Sequence, residues 1–526
     1  MKRRNFLSIL GTGAALPVMM NGLCVRAFAS DTPFLSLLAN VACEDRILVL
    51  VQLAGGNDGL NTVIPLDQYS VYKAVRPNIA VAETAALKLT NATGLHPNMT
   101  GMQQLFTQGK LRVVQSVGYP TPDFSHFRST DIWLTASDYD KIIDTGWLGR
   151  WLDTQYPGFP AGYPNAAMPD PVAIQIGNTV STALEAKQAN MGMAFTDPKT
   201  YFNINNYGAG TQQNTRFLQE LDYIRQTGLQ IQNFATPVKN AAAKATNKSS
   251  LYPAANQNPL ADQLKIVAQL IAGGLRTRIY IVTHSGYDTH SSQNNAGSGT
   301  PFSHPQLLQQ LSQAISAFQD DLRLLGIEDK VTGMTFSEFG RRIKQNGSNG
   351  TDHGAAAPMF IFGSNVQSGI LGANPSIPAA VTLEDNIPMQ FDFRSVYASL
   401  FRDWFCVNES DVKSLLFADF PYLPIMKTSK PTDVNEQGES VNQAKLSVSP
   451  NPAMNEIRVR YISEGNPVRI SLFDYTGREI EVVDSMTPQH GEHELSIDVS
   501  QHCSGNYYCR VSSSKSHSVI PFVIMH

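Results

Sequence analysis

The sequence has few charged residues, and its basic side chains do not outnumber its acidic ones. Charged residues make up 16% of the 526 positions, against roughly 25% in an average soluble protein. Lys and Arg together number 40 and Asp and Glu 44, so the net charge of −4 provides no general attraction for nucleic acid or anionic lipid. We therefore predict no nucleic-acid partner. The solubility of this chain rests on neutral polar groups, which suits an exported protein.

Long apolar runs are also lacking, except for one at the N-terminus. The basic residues of KRRN precede an apolar segment over 6–25 that glycine and proline interrupt, and AFA follows at 27–29. This pattern predicts a cleavable signal peptide over 1–29. The Arg3–Arg4 pair before Asn5 and Phe6 resembles a twin-arginine signal, which exports folded proteins, and an ordinary secretory signal is the alternative. Because no comparable run follows, we predict no permanent membrane span.

Cysteine is scarce and widely spaced. Once Cys24 has left with the signal, Cys43, Cys406, Cys503 and Cys509 remain, and their spacing matches neither a zinc site nor a redox motif. We expect structural thiols or disulfides. Cys503 and Cys509 flank a turn of Ser, Gly and Asn, so these two are a candidate bridge in an oxidising compartment.

Continuous apolar runs, typical of strands buried on both faces, recur along the first 420 positions. RILVLVQL at 46–53 ends in a glycine-rich turn, and similar runs cover 111–119, 278–284, 331–336 and 358–363. Helix-like stretches such as 305–325 separate them, and this alternation predicts a doubly wound α/β fold with a mostly parallel sheet. Ligand sites in such sheets lie at the carboxyl ends of the strands.

Three other segments depart from this alternation. Positions 157–258 are rich in Asn, Gln, Ala and Gly, with one amphipathic helix near 215–234, and predict a cap inserted over the sheet. Positions 427–443 have almost no large apolar residue and predict a linker. Short alternating strands separated by turns fill 445–526 and predict a small C-terminal β-sandwich domain.

The C-terminal segment carries a recognisable set of motifs. SVSPNPAMNEIRV at 447–459, LFDYTGREI at 472–480 and SGNYYCRV at 504–511 together resemble the type A C-terminal sorting domain of the type IX secretion system. The resemblance implies export through the periplasm and engagement of that machinery. It also implies a secreted or cell-surface location, with the tail removed or exchanged for an anchor. An adhesive or carbohydrate-binding sandwich is the alternative.

Five polar segments follow the predicted strands and should meet at one rim of the sheet. They are GGNDGLN at 55–61, DFSHFRSTDIW at 123–133, GYDTHS at 286–291, SEFGRR at 337–342 and TDHGAAAP at 351–358. Together they resemble the DUF1501 family over a domain of 45–425, and that family is similar to the alkaline phosphatase and sulfatase superfamily. The resemblance implies an alkaline phosphatase-like doubly wound sheet with divalent metal ions at the strand ends.

The resemblance also assigns metal ligands. In chain order they are Asp58, Asp288, His290, Glu338, Asp352 and His353. Phe339 stands where the superfamily has a histidine, so one or two ions are expected, and these donors suit zinc, manganese, calcium or magnesium. Three of these residues also have an alternative role. Asp58 could serve only its own tight turn, Glu338 could pair with Arg341 or Arg342, and Asp352 could orient an imidazole without binding the ion.

Catalytic roles follow from the same resemblance. Ser125, at a predicted helix start, is the candidate nucleophile, with helix capping as its alternative role and Ser129 as the substitute. Arg128 and Arg341 are expected to clamp the anion. Three neighbouring histidines are expected to be structural or to support the ligands, namely His126, His284 and His304.

Two functions from different classes remain. The first is an exported, metal-dependent hydrolase of phosphate or sulfate esters with a serine nucleophile, whose partner is an anionic ester substrate. The second is a non-catalytic secreted or cell-surface protein that binds a glycan or other polymer on the same fold.

Overall fold

The computed structural model describes residues 45–198, 233–295, 302–427 and, with short gaps, 447–525, together with Cys43 and an N-terminal strand pair. The pair consists of β1 (Ala15–Met20) and β2 (Leu23–Ala27). One compact unit is Ala39–Ser429, and the other comprises Met1–Leu38 and Lys430–His526. The rest of the predicted signal peptide and nearly all of the linker over 427–443 lie outside the described residues, so both stay predictions.

A mostly parallel sheet is the centre of the larger unit. The strands of this unit are β3 (Ile47–Ala54), β4 (Val63–Pro65), β5 (Leu87–Lys88), β6 (Thr93–Leu95), β7 (Leu111–Gly118), β8 (Ala173–Ile176), β9 (Gly192–Phe195), β10 (Ile279–Ser285), β11 (Val331–Phe336), β12 (Gly340–Arg341), β13 (His353–Gly354), β14 (Ala357–Phe362), β15 (Gly369–Leu371) and β16 (Phe391–Asp392). The central sheet has the order β15-β7-β14-β11-β3-β10-β8-β9, with β16 beside β7. Among these nine strands β14 alone is antiparallel to its neighbours.

Burial explains why these strands were recognisable in the sequence. Every residue of β7 and β11 is buried, as expected when both faces of a sheet are covered. The five predicted runs coincide with β3, β7, β10, β11 and β14 to within one residue at each end. The α/β prediction is confirmed.

Helices fill the connections between the strands. They are α1 (Gly59–Thr62), α2 (Tyr69–Val75), α3 (Thr100–Thr107), α4 (His126–Thr135), α5 (Trp147–Gln155), α6 (Pro259–Ala272), α7 (His304–Leu325), α8 (Phe393–Ser399) and α9 (Glu409–Leu416). The longest, α7, begins with a capping box of Ser303 and Gln306 and ends at Gly326, whose φ is 73°. It packs against α3 and α6. In the described part of the chain, no helix combines the length and the apolar character needed to span a bilayer.

The predicted cap over 157–258 needs a correction. Strands β8 and β9 fall within it and extend the central sheet beyond β10. Their four-residue lengths, set among polar turns, gave no run long enough to recognise. The helix predicted near 215–234 lies outside the described residues except at its end, and residues 233–244 are helical.

The disulfide differs from the predicted one. Cys43 and Cys406 form a disulfide across 363 positions. It joins the start of the larger unit to the segment just after Leu400–Trp404, the helical turn that follows α8. Cys509 is a free thiol, so the suggested bridge to Cys503 is not formed. Burial in the sandwich core raises the pKa of Cys509 to about 12.

The C-terminal domain is a β-sandwich, as predicted. Its strands are β17 (Ser447–Ser449), β18 (Glu456–Ser463), β19 (Val468–Asp474), β20 (Glu479–Ser485), β21 (Gly491–Asp498), β22 (Gly505–Ser513) and β23 (His517–Ile524). They form a three-stranded sheet, β17-β18-β21, and a four-stranded sheet, β20-β19-β22-β23. All pairs within these sheets are antiparallel. Alternate residues such as Ile457, Val459 and Ile470 form its core.

Candidate metal centre

Several predicted site segments meet where the central strands end. Asp288 and His290 follow β10, and Glu338 follows β11 directly. His353 begins β13, which pairs with β12. His126 opens α4, in the connection after β7. Residues far apart in sequence therefore reach one rim, as expected at the carboxyl ends of parallel strands.

Three donor atoms form a tight triangle at this rim. The Nε2 atoms of His290 and His353 lie 2.9 Å apart. Asp288 Oδ1 lies 3.1 Å from Nε2 of His290 and 3.2 Å from Nε2 of His353. A tetrahedral ion with bonds of about 2.0–2.1 Å holds its ligands roughly 3.3 Å apart. The triangle therefore fits a single divalent cation, with room for other ligands on its open side.

Hydrogen bonds fix the orientation of both imidazoles. His290 Nδ1 lies 3.0 Å from Asp352 Oδ1, which also accepts from Asn346 Nδ2 at 3.0 Å. His353 Nδ1 donates to the carbonyl of Phe124 at 2.8 Å. With Nδ1 engaged, each ring presents Nε2 to the centre, which is the arrangement of metal-ligating histidines. Asp352 thus lies behind His290 and orients it.

His126 is a fourth member that sequence reasoning treated as structural. Its Nε2 lies 3.6 Å from Asp288 Oδ2, and one donor atom each from His126, Asp288 and His353 lie within 4.8 Å of one another. Its Nδ1 lies 2.8 Å from Oε1 of Glu338, and this hydrogen bond raises the pKa of His126. The signal for this role was the histidine directly after Ser125 in DFSH.

Glu338 and Phe339 form the inner wall of the centre. Glu338 is buried and accepts the backbone N–H of Gly55 at 2.8 Å, besides contacting His126. Its partner is therefore His126 and not Arg341 or Arg342. The ring of Phe339 lies 4.4 Å from that of His353 and 4.8 Å from that of His126, measured between centroids. An apolar ring thus supports the two imidazoles at the position where the superfamily resemblance predicted a histidine.

Asp58 does not face the centre as a free ligand. It is fully buried, and Arg76 Nη1 lies 2.8 Å and 2.6 Å from its two oxygens. Gln293 Nε2 donates to Oδ2 at 2.6 Å. Burial alone would raise the pKa of Asp58, but the Arg76 guanidinium and these hydrogen bonds hold it below its ordinary value. Arg76 thus occupies both oxygens of Asp58, for which the sequence predicted a metal ion as the partner.

Arg341 is not placed to clamp a substrate anion. Its side chain is fully buried. It donates to the carbonyls of Gly56 at 2.8 Å, Thr351 at 2.7 Å and Tyr287 at 3.1 Å, and to Asp288 Oδ1 at 2.7 Å. These bonds join three segments of the rim, so the guanidinium holds together the loops that form the centre.

Arg128 likewise bonds to protein groups. It pairs with Asp131 and donates to the carbonyls of Asp138 and Tyr139 at 3.0 Å and of Lys141 at 2.6 Å. These contacts hold the loop after α4 against the first turn of that helix. Both arginines for which the sequence predicted an anion contact are thus bonded to protein groups in this structure.

The two candidate serines have different surroundings. Ser125 is exposed at the N-cap of α4, and its hydroxyl makes no capping bond. It stands between Phe124, whose carbonyl binds His353, and His126, so it lies on the rim of the centre. Ser129 is fully buried, with its hydroxyl 2.7 Å from that of Tyr119. Of the two serines, Ser125 is therefore the one that solvent and substrate can reach in this structure.

The other two histidines lie inside the protein. His284 contacts the hydroxyl of Tyr287 at 3.0 Å, and His304 contacts Asn57 Oδ1 at 3.0 Å. Burial lowers the pKa of His284 to about 4 and that of His304 to about 3. Both are neutral in ordinary buffers and belong to the packing around the centre.

Two family models match this chain. The family model described as a protein of unknown function (DUF1501) matches residues 45–392, and that of a secretion system C-terminal sorting domain matches residues 447–525. No functionally curated protein matches the chain.

Several solved structures are similar at low identity. A protein of the alkaline phosphatase superfamily from Vibrio parahaemolyticus is 9% identical, over 94% of this chain and 91% of that one, with a TM-score of 0.31. A sulfatase from Pseudoalteromonas sp. is 11% identical over 90% and 89%, with a TM-score of 0.33. PorZ, a surface component of the type IX secretion system of Porphyromonas gingivalis, is 20% identical over 16% of this chain and 12% of its own, with a TM-score of 0.13.

Proposed function

Given that the chain belongs to DUF1501, a family of proteins of unknown function, we propose that it is an exported hydrolase of phosphate or sulfate esters that works at a divalent-metal centre. The observation that carries the proposal is the triangle of donor atoms from Asp288, His290 and His353. Two imidazoles and one carboxylate are the three protein ligands of many open catalytic zinc sites.

The donors fit a cation such as zinc or manganese, which would supply positive charge to the oxygens of a bound ester. The protein's own groups hold and shape that site. Asp352 and the Phe124 carbonyl fix the two imidazoles, and Arg341 fixes Asp288. A preorganised site of this kind loses little energy to rearrangement when charge develops on the substrate.

Ser125 is the proposed nucleophile. Its hydroxyl is exposed and free of the capping bond that would otherwise explain a serine at this position. In the proposed reaction, Ser125 Oγ forms a bond to phosphorus or sulfur as the bond to the leaving group breaks, and the hydroxyl proton departs with the alcohol. A water oxygen then bonds to the same atom as its bond to Oγ breaks, which releases phosphate or sulfate and returns a proton to Ser125.

Polymer binding without turnover is the second candidate. The observation that favours it is the engagement of Arg128 and Arg341 by protein groups, which leaves neither guanidinium to bind an anion. A screen of aryl phosphates and aryl sulfates, run on the metal-loaded protein, separates the two candidates. Hydrolysis supports the enzyme, whereas metal binding without hydrolysis, together with retention on immobilised glycans, supports the binder.

Ser125→Ala should lower kcat for an aryl ester by at least about 10³-fold, because the attacking oxygen is lost. The metal content should not change, since Ser125 is not one of the triangle's donors. Metal analysis and steady-state kinetics check this. Ser129→Ala is the comparison variant, and it should lose stability but keep kcat. Full activity in Ser125→Ala would show that Ser125 is not the nucleophile and would leave water in that role.

The mature protein should lack both ends of the chain. We expect cleavage near Ala29 and within 427–443, because the first segment reads as a signal and the tail matches a sorting domain. Intact-mass spectrometry of the protein released by the producing cells measures both ends. A released species that keeps residues 445–526 would contradict removal of the tail and favour an adhesive role for the sandwich.

A further inference from the structure

We infer that the Arg76 guanidinium permanently fills the role of a second metal ion beside the centre, so that the protein binds one cation per chain. This inference rests on the proposed metal centre. It concerns Asp58 and Glu338, the two carboxylates at the rim that lie outside the donor triangle.

The first argument is the pairing of Asp58. Both of its oxygens contact Arg76, and the side chains of both residues are completely inaccessible to solvent. Removing a carboxylate from water is strongly unfavourable unless a partner compensates its charge. Arg76 supplies that charge, so Asp58 does not need a metal ion to be stable in the interior.

The second argument is the way in which Arg76 is held. Its Nε donates to the carbonyl of Ile343 at 2.8 Å and its Nη2 to the carbonyl of Arg342 at 2.7 Å. Its Nη1 also donates to Asn61 Oδ1 at 3.0 Å. A metal ion that displaced this guanidinium would remove the donor from the carbonyls of Ile343 and Arg342, at a cost of about 1–3 kcal/mol for each group left unsatisfied.

The third argument concerns Glu338, the other carboxylate predicted to serve a second ion. Its Oε1 accepts from the Gly55 N–H at 2.8 Å and contacts His126 at the same distance. The neighbouring Phe339 offers no donor atom. Of the oxygens of Asp58 and Glu338, that leaves Oε2 of Glu338, which lies 3.3 Å from the hydroxyl of Ser337. A single oxygen is too few protein donors to hold a second ion.

The pair also positions the ligand loops. Gln293 donates to Asp58, and its Oε1 accepts from Thr351 Oγ1 at 2.8 Å. Gln293 lies three residues after His290, and Thr351 lies two residues before His353. The Asp58–Arg76 pair therefore anchors the two loops that carry the imidazole donors, which makes Arg76 a positioning residue.

The test is the number of ions bound by the full chain. After chelation and reloading with zinc or manganese, elemental analysis and titration calorimetry should give one ion per chain. Asp58→Asn should still bind one ion, about 10–100-fold more weakly, because loss of the Asp58 carboxylate loosens the loops that hold the metal ligands. The double variant Asp58→Asn/Arg76→Met removes both charges together, so it avoids an unpaired buried charge and should also bind one ion.

The outcomes separate the inference from the proposed centre. Two ions in the natural chain, falling to one in Asp58→Asn, would overturn the inference and leave the centre standing. Two ions that persist in Asp58→Asn would also overturn it, since the second ion would bind elsewhere. No ion in the natural chain would instead refute the metal centre itself. Unchanged affinity in Asp58→Asn would contradict the positioning role of the pair.

Discussion

His353→Ala should abolish tight binding of the cation and lower hydrolysis of aryl esters by at least about 10³-fold. The substitution removes one corner of the donor triangle and leaves Asp288 and His290 as the remaining donors. Two donors do not make the three-ligand set of an open catalytic site. The side chain of His353 is only 20% exposed and donates to the carbonyl of Phe124, so its removal should also lower the unfolding temperature of the metal-free protein. Elemental analysis, kinetics and thermal unfolding of the metal-free protein measure the three quantities.

Asp352→Asn is a milder change at the same centre and should have a smaller effect than His353→Ala. It keeps every donor of the triangle and weakens the contacts of Asp352 with His290 and Asn346, of which the first orients a donor. Loss of such an orienting partner typically lowers metal affinity or activity about 10–100-fold. An equally complete loss in both variants would make Asp352 a ligand, as one sequence interpretation held. A full equivalent of tightly bound metal in His353→Ala would refute the triangle.

The long strands of the central sheet, and the rim at which the polar segments after them meet, could be predicted from the sequence because both depend on local patterns. Unbroken apolar runs such as that of β3 are needed where both sheet faces are covered. The polar residues directly after those runs, Asp288 and His290 among them, had to lie at the carboxyl edge. The short strands β8 and β9 were not predicted, because four residues are too few to show a distinct hydrophobic pattern.

The partners of the charged residues could not be predicted in the same way. Asp58 and Arg76 are 18 positions apart, Asp288 and Arg341 are 53, and His126 and Glu338 are 212. No local pattern reveals which strand-end carboxylate meets a guanidinium and which faces a cation. That distinction depends on side-chain packing between distant segments. Such packing sets the contacts of Asp58, Arg341 and His126 in the structure.

Arg341→Lys should destabilise the protein by several kcal/mol, because one buried guanidinium joins the ends of β3 and β10 to the loop before β13. A lysine ammonium has three donors on a flexible stem and cannot reproduce the planar fork that reaches Gly56, Tyr287, Thr351 and Asp288. Each buried carbonyl that loses its donor costs about 1–3 kcal/mol. Urea unfolding of the metal-free protein measures this loss directly.

The neighbouring variant Arg342→Lys is the matched control. Arg342 pairs with the exposed side chain of Glu384 and donates through Nε to the carbonyl of His353 at 2.8 Å. Its replacement should cost about 1 kcal/mol, because a net hydrogen bond and an exposed ion pair each contribute roughly that much or less. The two substitutions make the same chemical change at adjacent positions, so a much larger effect at Arg341 isolates the contribution of its buried bonds. If Arg341→Lys unfolded like the natural protein yet weakened inhibition by inorganic phosphate or sulfate, the arginine would bind the substrate anion after all. The carbonyls that it holds in this structure would then have to find other donors.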